Sequence, residues 1–253
     1  MREFEGTPVK LKRSNRKTLA IQVLADASNK VYLLIKAPQQ IDEKQLIQIV
    51  KSKRSWIEDA KKKRLSLEES KKAMLSDYSI KDNGVLPFQG SVLNLKTQTD
   101  KMIPKLAVMM GSEGLYILKN PYYLDYQQEL PALLKHYYMK KAHTVFSQMI
   151  ETYSKQYGFR VNTLKIKDTK TRWGSCSAKM NINLNWRLII AHERLYEYVI
   201  VHELCHLGCW HHGKQFWNRV ASILPDYRVR KTELKEISDF LFAFDFSKIE
   251  ISL

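Results

Sequence analysis

Apolar and polar positions alternate with a period of two over several short runs in the first 120 residues. Val9-Lys10-Leu11-Lys12 and the runs 19–24 and 31–35 read as strands, the last two as a hairpin around a turn at Asp26-Ala27-Ser28-Asn29. Ala37-Pro38 ends this run. The period then becomes helical. Leu46, Ile49, Val50, Ile57 and Ala60 share one face of a helix, with Asp42 as its N-cap and Gln45 three residues on in a capping-box arrangement. Asp82-Asn83-Gly84 marks a turn. The short runs 85–88, 92–95, 106–109 and 115–118, broken by glycines, then predict a second small sheet. The expected boundary is Asn120-Pro121, which divides the chain into 1–120 and 121–253.

Beyond that boundary the long pattern is helical. One stretch runs from about residue 123 to 157, with Pro131 expected to open a new helix and Gly158 to end it. Strands follow at 164–167 and 182–186. The segment Thr171-Arg172-Trp173-Gly174-Ser175-Cys176-Ser177 is expected to form a hairpin with the latter, turning near Ala178-Lys179. An almost wholly apolar helix then begins near Leu195. Phe216, Trp217, Val220 and Leu224 mark a further helix stopped by Pro225; Leu234, Ile237, Phe240 and Leu241 mark a last one. Strands clustered early and helices late predict an α+β protein with a β-rich N-terminal domain carrying one long helix. No internal repeat is visible.

Charge adds one feature. The chain of 253 residues carries a formal net charge of +16. Residues 1–72 hold 18 Lys and Arg against 9 Asp and Glu, so this segment supplies more than half of the excess. A basic N-terminal domain points to nucleic acid or another polyanion as a partner, or to a solvated basic surface. The chain opens on polar residues, no run is apolar enough to span a bilayer, and the three cysteines form no C-x-x-C pair. No membrane partner is therefore expected. The expected compartment is the cytoplasm, and the cysteines are expected to be reduced.

The chemistry is concentrated in His202-Glu203-Leu204-Cys205-His206, an H-E-x-x-H motif, with His211 and His212 close behind. Residues four apart on a helix differ by about 40° in direction, so His202 and His206 project from one face one turn apart. Zinc takes imidazole nitrogen at about 2.0–2.1 Å in a tetrahedral set, and two histidines so placed chelate it without strain. Glu203, beside His202, is then placed to take a proton from water on the metal. The apolar run ahead of the motif puts it on a buried helix, where His and Glu are uncommon unless paired or bound to metal. A mixed Cys/His structural zinc site using Cys205 or Cys209 is the competing arrangement. His136 and His143 are expected to be structural.

Four blocks in order carry a resemblance: Arg172-Trp173-Gly174-Ser175-Cys176-Ser177, Asn183-Leu184-Asn185-Trp186, Val201-His202-Glu203-Leu204-Cys205-His206-Leu207, and His212 with Phe216-Trp217. Together they look like the YgjP-like metal-dependent hydrolases, which are related to the SprT-like and WLM-type zinc metalloproteases. The N-terminal half resembles that family less specifically, through Ala37-Pro38 and Lys53-Arg54-Ser55-Trp56-Ile57. The resemblance implies a zincin-like α+β catalytic domain in residues 121–253, with three histidine ligands to zinc. By position the third is His212, with His211 as its neighbouring rival. It further implies a peptidase acting on protein or peptide, with Glu203 as general base. By analogy with zincins, substrate lies along the Trp173–Ser177 strand, so Arg172 and Trp173 are candidate substrate-binding residues. Arg172, Tyr227 and His211 are candidates for stabilising an oxyanion. Gly208 is expected to end the helix after His206 with positive φ. It lies six residues after His202, whereas metzincins place a glycine at seven, which argues against that group. The competing function is a nucleic-acid-binding protein with a structural zinc, in which Glu203 has no catalytic part.

Overall fold

The computed structural model describes residues 2–26 and 30–253. Most of the turn expected at 26–29 lies outside the described residues. Two main-chain and side-chain bonds between Asp26 and Lys30 (3.1 and 2.9 Å) close the base of the connection. The architecture is mixed α+β. Contacts divide the chain into two compact units, Met1–Ala73 and Met74–Leu253.

In the first unit, strands β1 (Glu3–Phe4), β2 (Thr7–Ser14), β3 (Ala20–Ala25) and β4 (Val31–Pro38) form one sheet in the order β1-β2-β4-β3. The expected hairpin is the antiparallel pair β3–β4; β2 runs parallel to β4 on its other side. On β4 every second residue, Leu33, Ile35 and Ala37, is buried, as a strand with one face on a core requires. Helix α1 (Glu43–Ser52) supplies Leu46 and Val50 to that core, and its Asp42 cap accepts from the Gln45 N–H at 2.7 Å. The periodic stretch expected as one helix is two. Lys53 caps α1, and α2 (Arg54–Leu75) starts immediately after it, carrying Ile57 into the same core.

The second unit opens with β5 (Ser79–Lys81), β6 (Val85–Phe88), β7 (Ser91–Thr99), β8 (Leu106–Met110) and β9 (Leu115–Lys119). The last four form the second sheet, in the order β6-β7-β9-β8. The position expected as the boundary, Asn120-Pro121, lies inside this unit. The reason is packing: Leu86, Leu95, Leu115 and Ile117 are fully buried in one core with the helices that follow.

Helix α3 (Tyr126–Tyr157) is continuous. Pro131 does not open a new helix; it lies in the second turn, where it removes one ladder hydrogen bond, and α3 runs on through it. Leu130, Leu134, Tyr138, Ala142, Phe146 and Ile150, each four apart, form the buried stripe, and Gly158 ends the helix at φ 71°. Strands β10 (Thr163–Lys167), β11 (Gly174–Cys176) and β12 (Asn181–Asn185) make a three-stranded sheet with β12 in the centre and β11 on an edge. The β11–β12 hairpin turns through Met180 at φ 58°. A 3-10 turn over Trp186–Ile190 leads into α4 (Glu193–Cys205), followed by α5 (Lys214–Ile223), α6 (Tyr227–Ala243) and β13 (Glu250–Ser252), which pairs with β5.

One polar cluster ties this unit together. The buried Arg187 side chain donates to the Phe244 carbonyl at 2.8 Å and to Asp168. Asp168 also accepts from Lys135 on α3 and, at 3.1 Å, from the Trp186 indole. Burial opposes its ionisation, but the hydrogen bonds from Lys135 and Arg187 outweigh that and hold its carboxyl down at about 2.

Candidate metal centre

Helix α4 is buried almost all round. Leu195, Tyr196, Val199, Ile200, Val201 and Leu204 anchor it in the core, so the side chains it carries are held by packing on several sides. His202 sits in its last turn and His206 caps it in helical conformation, so the expected one-turn offset is present. The chain then turns through bonds from the Leu207, Gly208 and Cys209 amides back to Leu204 and Cys205. Gly208 does not have the positive φ expected of a helix stop. A Cβ there would meet Arg219 Nη1 at 2.1 Å, the far end of a flexible side chain that can shift aside. Arg219 reaches across from α5, with its guanidinium also 4.7 Å from the Phe159 ring centre.

This return brings His212 over the helix. Its Nε2 lies 3.1 Å from Nε2 of both His202 and His206. Among the described residues these three histidines are the one group of three or more metal-ligating side chains whose donor atoms all lie within 4.8 Å of one another. His211 is exposed and gives no atom to the group, nor do Cys205 and Cys209.

The donor set fits a metal ion. Tetrahedral zinc with Zn–N of about 2.0–2.1 Å separates neighbouring nitrogens by about 3.3 Å. Nδ1 of His206 donates to the Cys209 carbonyl at 3.0 Å, since a carbonyl only accepts; in the neutral ring the Nε2 lone pair is then free to face the other two. Nδ1 of His202 is buried without a partner. Burial, then the neighbouring His206 and His212, push His202 down to about 3, so it is neutral and ligand-competent near neutral pH. His212 is lowered as well, by burial and then by His206 and Lys231. Beneath the cluster the fully buried Phe216 ring lies 4.9, 4.6 and 4.7 Å from the ring centres of His202, His206 and His212. Trp217 stacks on His212 at 5.7 Å.

Glu203 is 5% exposed. Burial raises its carboxyl to about 7, against which the nearby Arg172 charge works. Strand β11 runs so close that a Cβ on Gly174 would lie 2.5 Å from Glu203 Oε1 and 2.7 Å from its Cγ. Gly174 is therefore a requirement of this site that spacing in the sequence did not single out. Cys176, also on β11, is pushed up to about 11 by burial and then by Glu203, and so stays a thiol. Of the two residues expected to meet substrate, Arg172 is exposed and makes itself felt at Glu203. Its carbonyl accepts from Thr169 and Asn185 at 2.8 and 3.2 Å. Trp173 stacks on Phe242 with ring centres 3.9 Å apart, donates to Ser238 at 3.3 Å and lines a groove next to the histidines. Tyr227 lines the same groove and stacks on Trp217 at 5.3 Å.

Two solved structures resemble parts of the chain. A metallopeptidase zymogen, abylysin of Pyrococcus abyssi, is 20% identical over 42% of this chain and 99% of its own, with a TM-score of 0.34. A second metallopeptidase zymogen, jannalysin of Methanocaldococcus jannaschii, is 25% identical over 37% of this chain and 94% of its own, with a TM-score of 0.32. No curated protein matches the chain. The profile of the YgjP-like family, metallopeptidase domain, matches residues 17–237 and takes in the three histidines, Glu203 and Gly174. On that match the chain belongs to the YgjP-like family of metallopeptidases.

Proposed function

We propose that this chain is a zinc-dependent peptidase, with His202, His206 and His212 as the ligands and Glu203 as the general base. The observation that carries this is the convergence of three imidazole nitrogens, two pairs of them at 3.1 Å, beside one buried carboxyl. Neutral imidazole is a good ligand for zinc, and three protein ligands are the number a catalytic site uses, leaving a position open. Held there, zinc would supply Lewis-acid polarisation of a carbonyl and acidify water to a pKa of about 7.

The protein's own groups divide the remaining work. Glu203, raised toward neutrality by burial, accepts a proton from the attacking water and hands it to the leaving amine. Strand β11 is paired with β12 on one side only, so its other edge offers main-chain donors and acceptors to an extended substrate. Arg172 and Trp173 precede that edge, and we assign them to substrate binding. Arg172 keeps a positive charge near Glu203. We place the zincin-like catalytic part in residues 121–253 of the second unit, and we assign the charge of the basic first unit to holding a polyanion such as nucleic acid.

A structural zinc site with no peptidase activity is the competing function. Such sites are closed by four ligands, often including cysteine, and here neither Cys205 nor Cys209 joins the group. No helix among the described residues is long and apolar enough to cross a membrane. Metal analysis tests the ligand set. Wild type should bind one zinc, His212→Ala should lose it and His211→Ala should keep it. Equal loss from both variants, or loss from His211→Ala alone, contradicts the assignment.

A further inference from the structure

A groove of about 750 Å³ opens beside the histidine cluster. Trp173, Tyr198, Trp217 and Tyr227 give it aromatic walls. Two of these also touch the cluster: Trp217 stacks on His212 at 5.7 Å, and Tyr198 stands edge-on to His202 at 6.0 Å. The groove and the metal centre thus share a wall.

Its other side is cationic. Arg228, Lys231 and Lys235, three and four residues apart on α6, all line it, and no Asp or Glu does among the described residues. Three carboxylates of this region are engaged elsewhere. Asp226 pairs with Arg230 at 2.9 Å and Arg194 at 3.5 Å, Glu233 pairs with Arg194 at 3.3 Å, and Glu197 pairs with Arg230. Arg228 donates instead to the Tyr227 hydroxyl at 3.2 Å, and Lys231 Nζ lies 4.8 Å from the Trp217 ring centre. Lys231 thus sits over the same Trp217 ring that stacks on His212. Lys231 is exposed, and its ammonium lies over an aromatic wall of the groove, where it can meet an anion that enters.

We propose that this groove is the subsite for a substrate residue flanking the scissile bond, that it selects an aspartate or glutamate side chain there, and that Lys231 is its specificity-determining residue. This rests on the peptidase reading of the histidine cluster. The span supports a flanking position: consecutive residues of an extended chain advance about 3.3–3.6 Å, and the Trp217 ring is within 6 Å of two of the three histidine rings. A free C-terminal carboxylate offers the same chemistry as an acidic side chain, and the test separates them.

Binding is measured on the full-length, metal-free chain, where no ion can capture the carboxylate, by tryptophan fluorescence and calorimetry. The probes are blocked pentapeptides differing only in Glu or Gln at the centre, and an alanine tetrapeptide as free acid or amide. The glutamate peptide should bind about tenfold tighter than its glutamine twin, the effect of one charge-assisted hydrogen bond. Lys231→Gln should abolish that preference, and Lys231→Glu should turn it toward a lysine-centred peptide. Equal binding of the Glu and Gln peptides, or a preference that survives Lys231→Gln, overturns the proposal. So does a preference confined to the free-acid tetrapeptide, which would assign the groove to a chain terminus. If the preference holds but metal-loaded wild type cleaves none of these peptides or proteins, the peptidase reading fails while the carboxylate site stands.

Discussion

The two four-stranded sheets share one topology. In β1-β2-β4-β3 and in β6-β7-β9-β8, the second strand lies parallel to the fourth and the third strand antiparallel to it on the outside. They serve different ends. The first sheet closes a small core of its own with α1 and α2, made of Phe4, Leu33, Ile35, Ala37, Leu46, Val50 and Ile57. The second is joined to the approach to the metal helix. Gln89 and Gly90 donate their amides to the Ile189 and Ile190 carbonyls at 2.8 Å each, and the Tyr138 hydroxyl donates to the Pro87 carbonyl at 3.2 Å. Gly90, at φ 76°, lies so close to the cap of α4 that a Cβ would meet His192 Cα at 2.7 Å. The same strand order therefore builds a separate module in one place and a buttress for the site in the other. The difference resides in the connections at the strand ends.

The largest break in that comparison is expected at Phe216, which packs under all three histidines. Phe216→Ala should cost about 3–5 kcal/mol and weaken zinc binding, read by thermal unfolding and metal titration. Unchanged metal affinity would mean the ring does not position the imidazoles. The matching cut in the first unit is Leu33→Ala, at a fully buried site. It should cost about 2–5 kcal/mol and speed hydrogen exchange in β2–β4, with zinc content unchanged. Loss of zinc from this variant would show that the small core is not separate.

A smaller effect is expected at Asp168. Asp168→Asn leaves the buried Arg187 charge without its carboxylate and should cost about 1–2 kcal/mol at pH 7, because Asp168 is itself partly exposed. Its folded value of about 2 lies below the unfolded value of about 3.9. The wild-type advantage should therefore be complete above pH 4 and disappear as pH falls toward 2. Urea titrations across that range would show it, and an advantage independent of pH would contradict the ion-pair account. The smallest effect is on the surface of the first unit. Binding of a polyanion there should weaken steeply with salt, as released counterions require; salt-independent binding, or none at low ionic strength, leaves a solvated basic face.

Much of this was legible from local pattern. The β3–β4 pair, the Asp42 cap, the Gly158 stop and the helix bearing His202 and His206 each depend on neighbours within a few residues. What escaped depends on distant partners. Nothing near Gly174 in sequence announces that Glu203, 29 residues on, will leave no room for a Cβ. Gly208 likewise does not take the positive φ its place after the helix suggests, and it lies against Arg219 from α5. The break at Lys53 falls inside one continuous apolar period, and the second sheet groups with the later helices through hydrogen bonds between residues about 100 apart. Lys231, Tyr198 and Trp217 read separately as ordinary helix residues; only the packing of α4, α5 and α6 makes them walls of one groove.

The most direct test of the central claim is the hydrolysis rate of Glu203→Gln against wild type at equal zinc content, on a protein that wild type cuts. Gln keeps the shape and the hydrogen-bonding capacity but cannot take the proton. The variant should keep its fold and its zinc, and cleavage should fall by about 10²–10⁴-fold. Cleavage at the wild-type rate with zinc retained would contradict Glu203 as the general base, and loss of zinc would show that its carboxylate holds the site together instead.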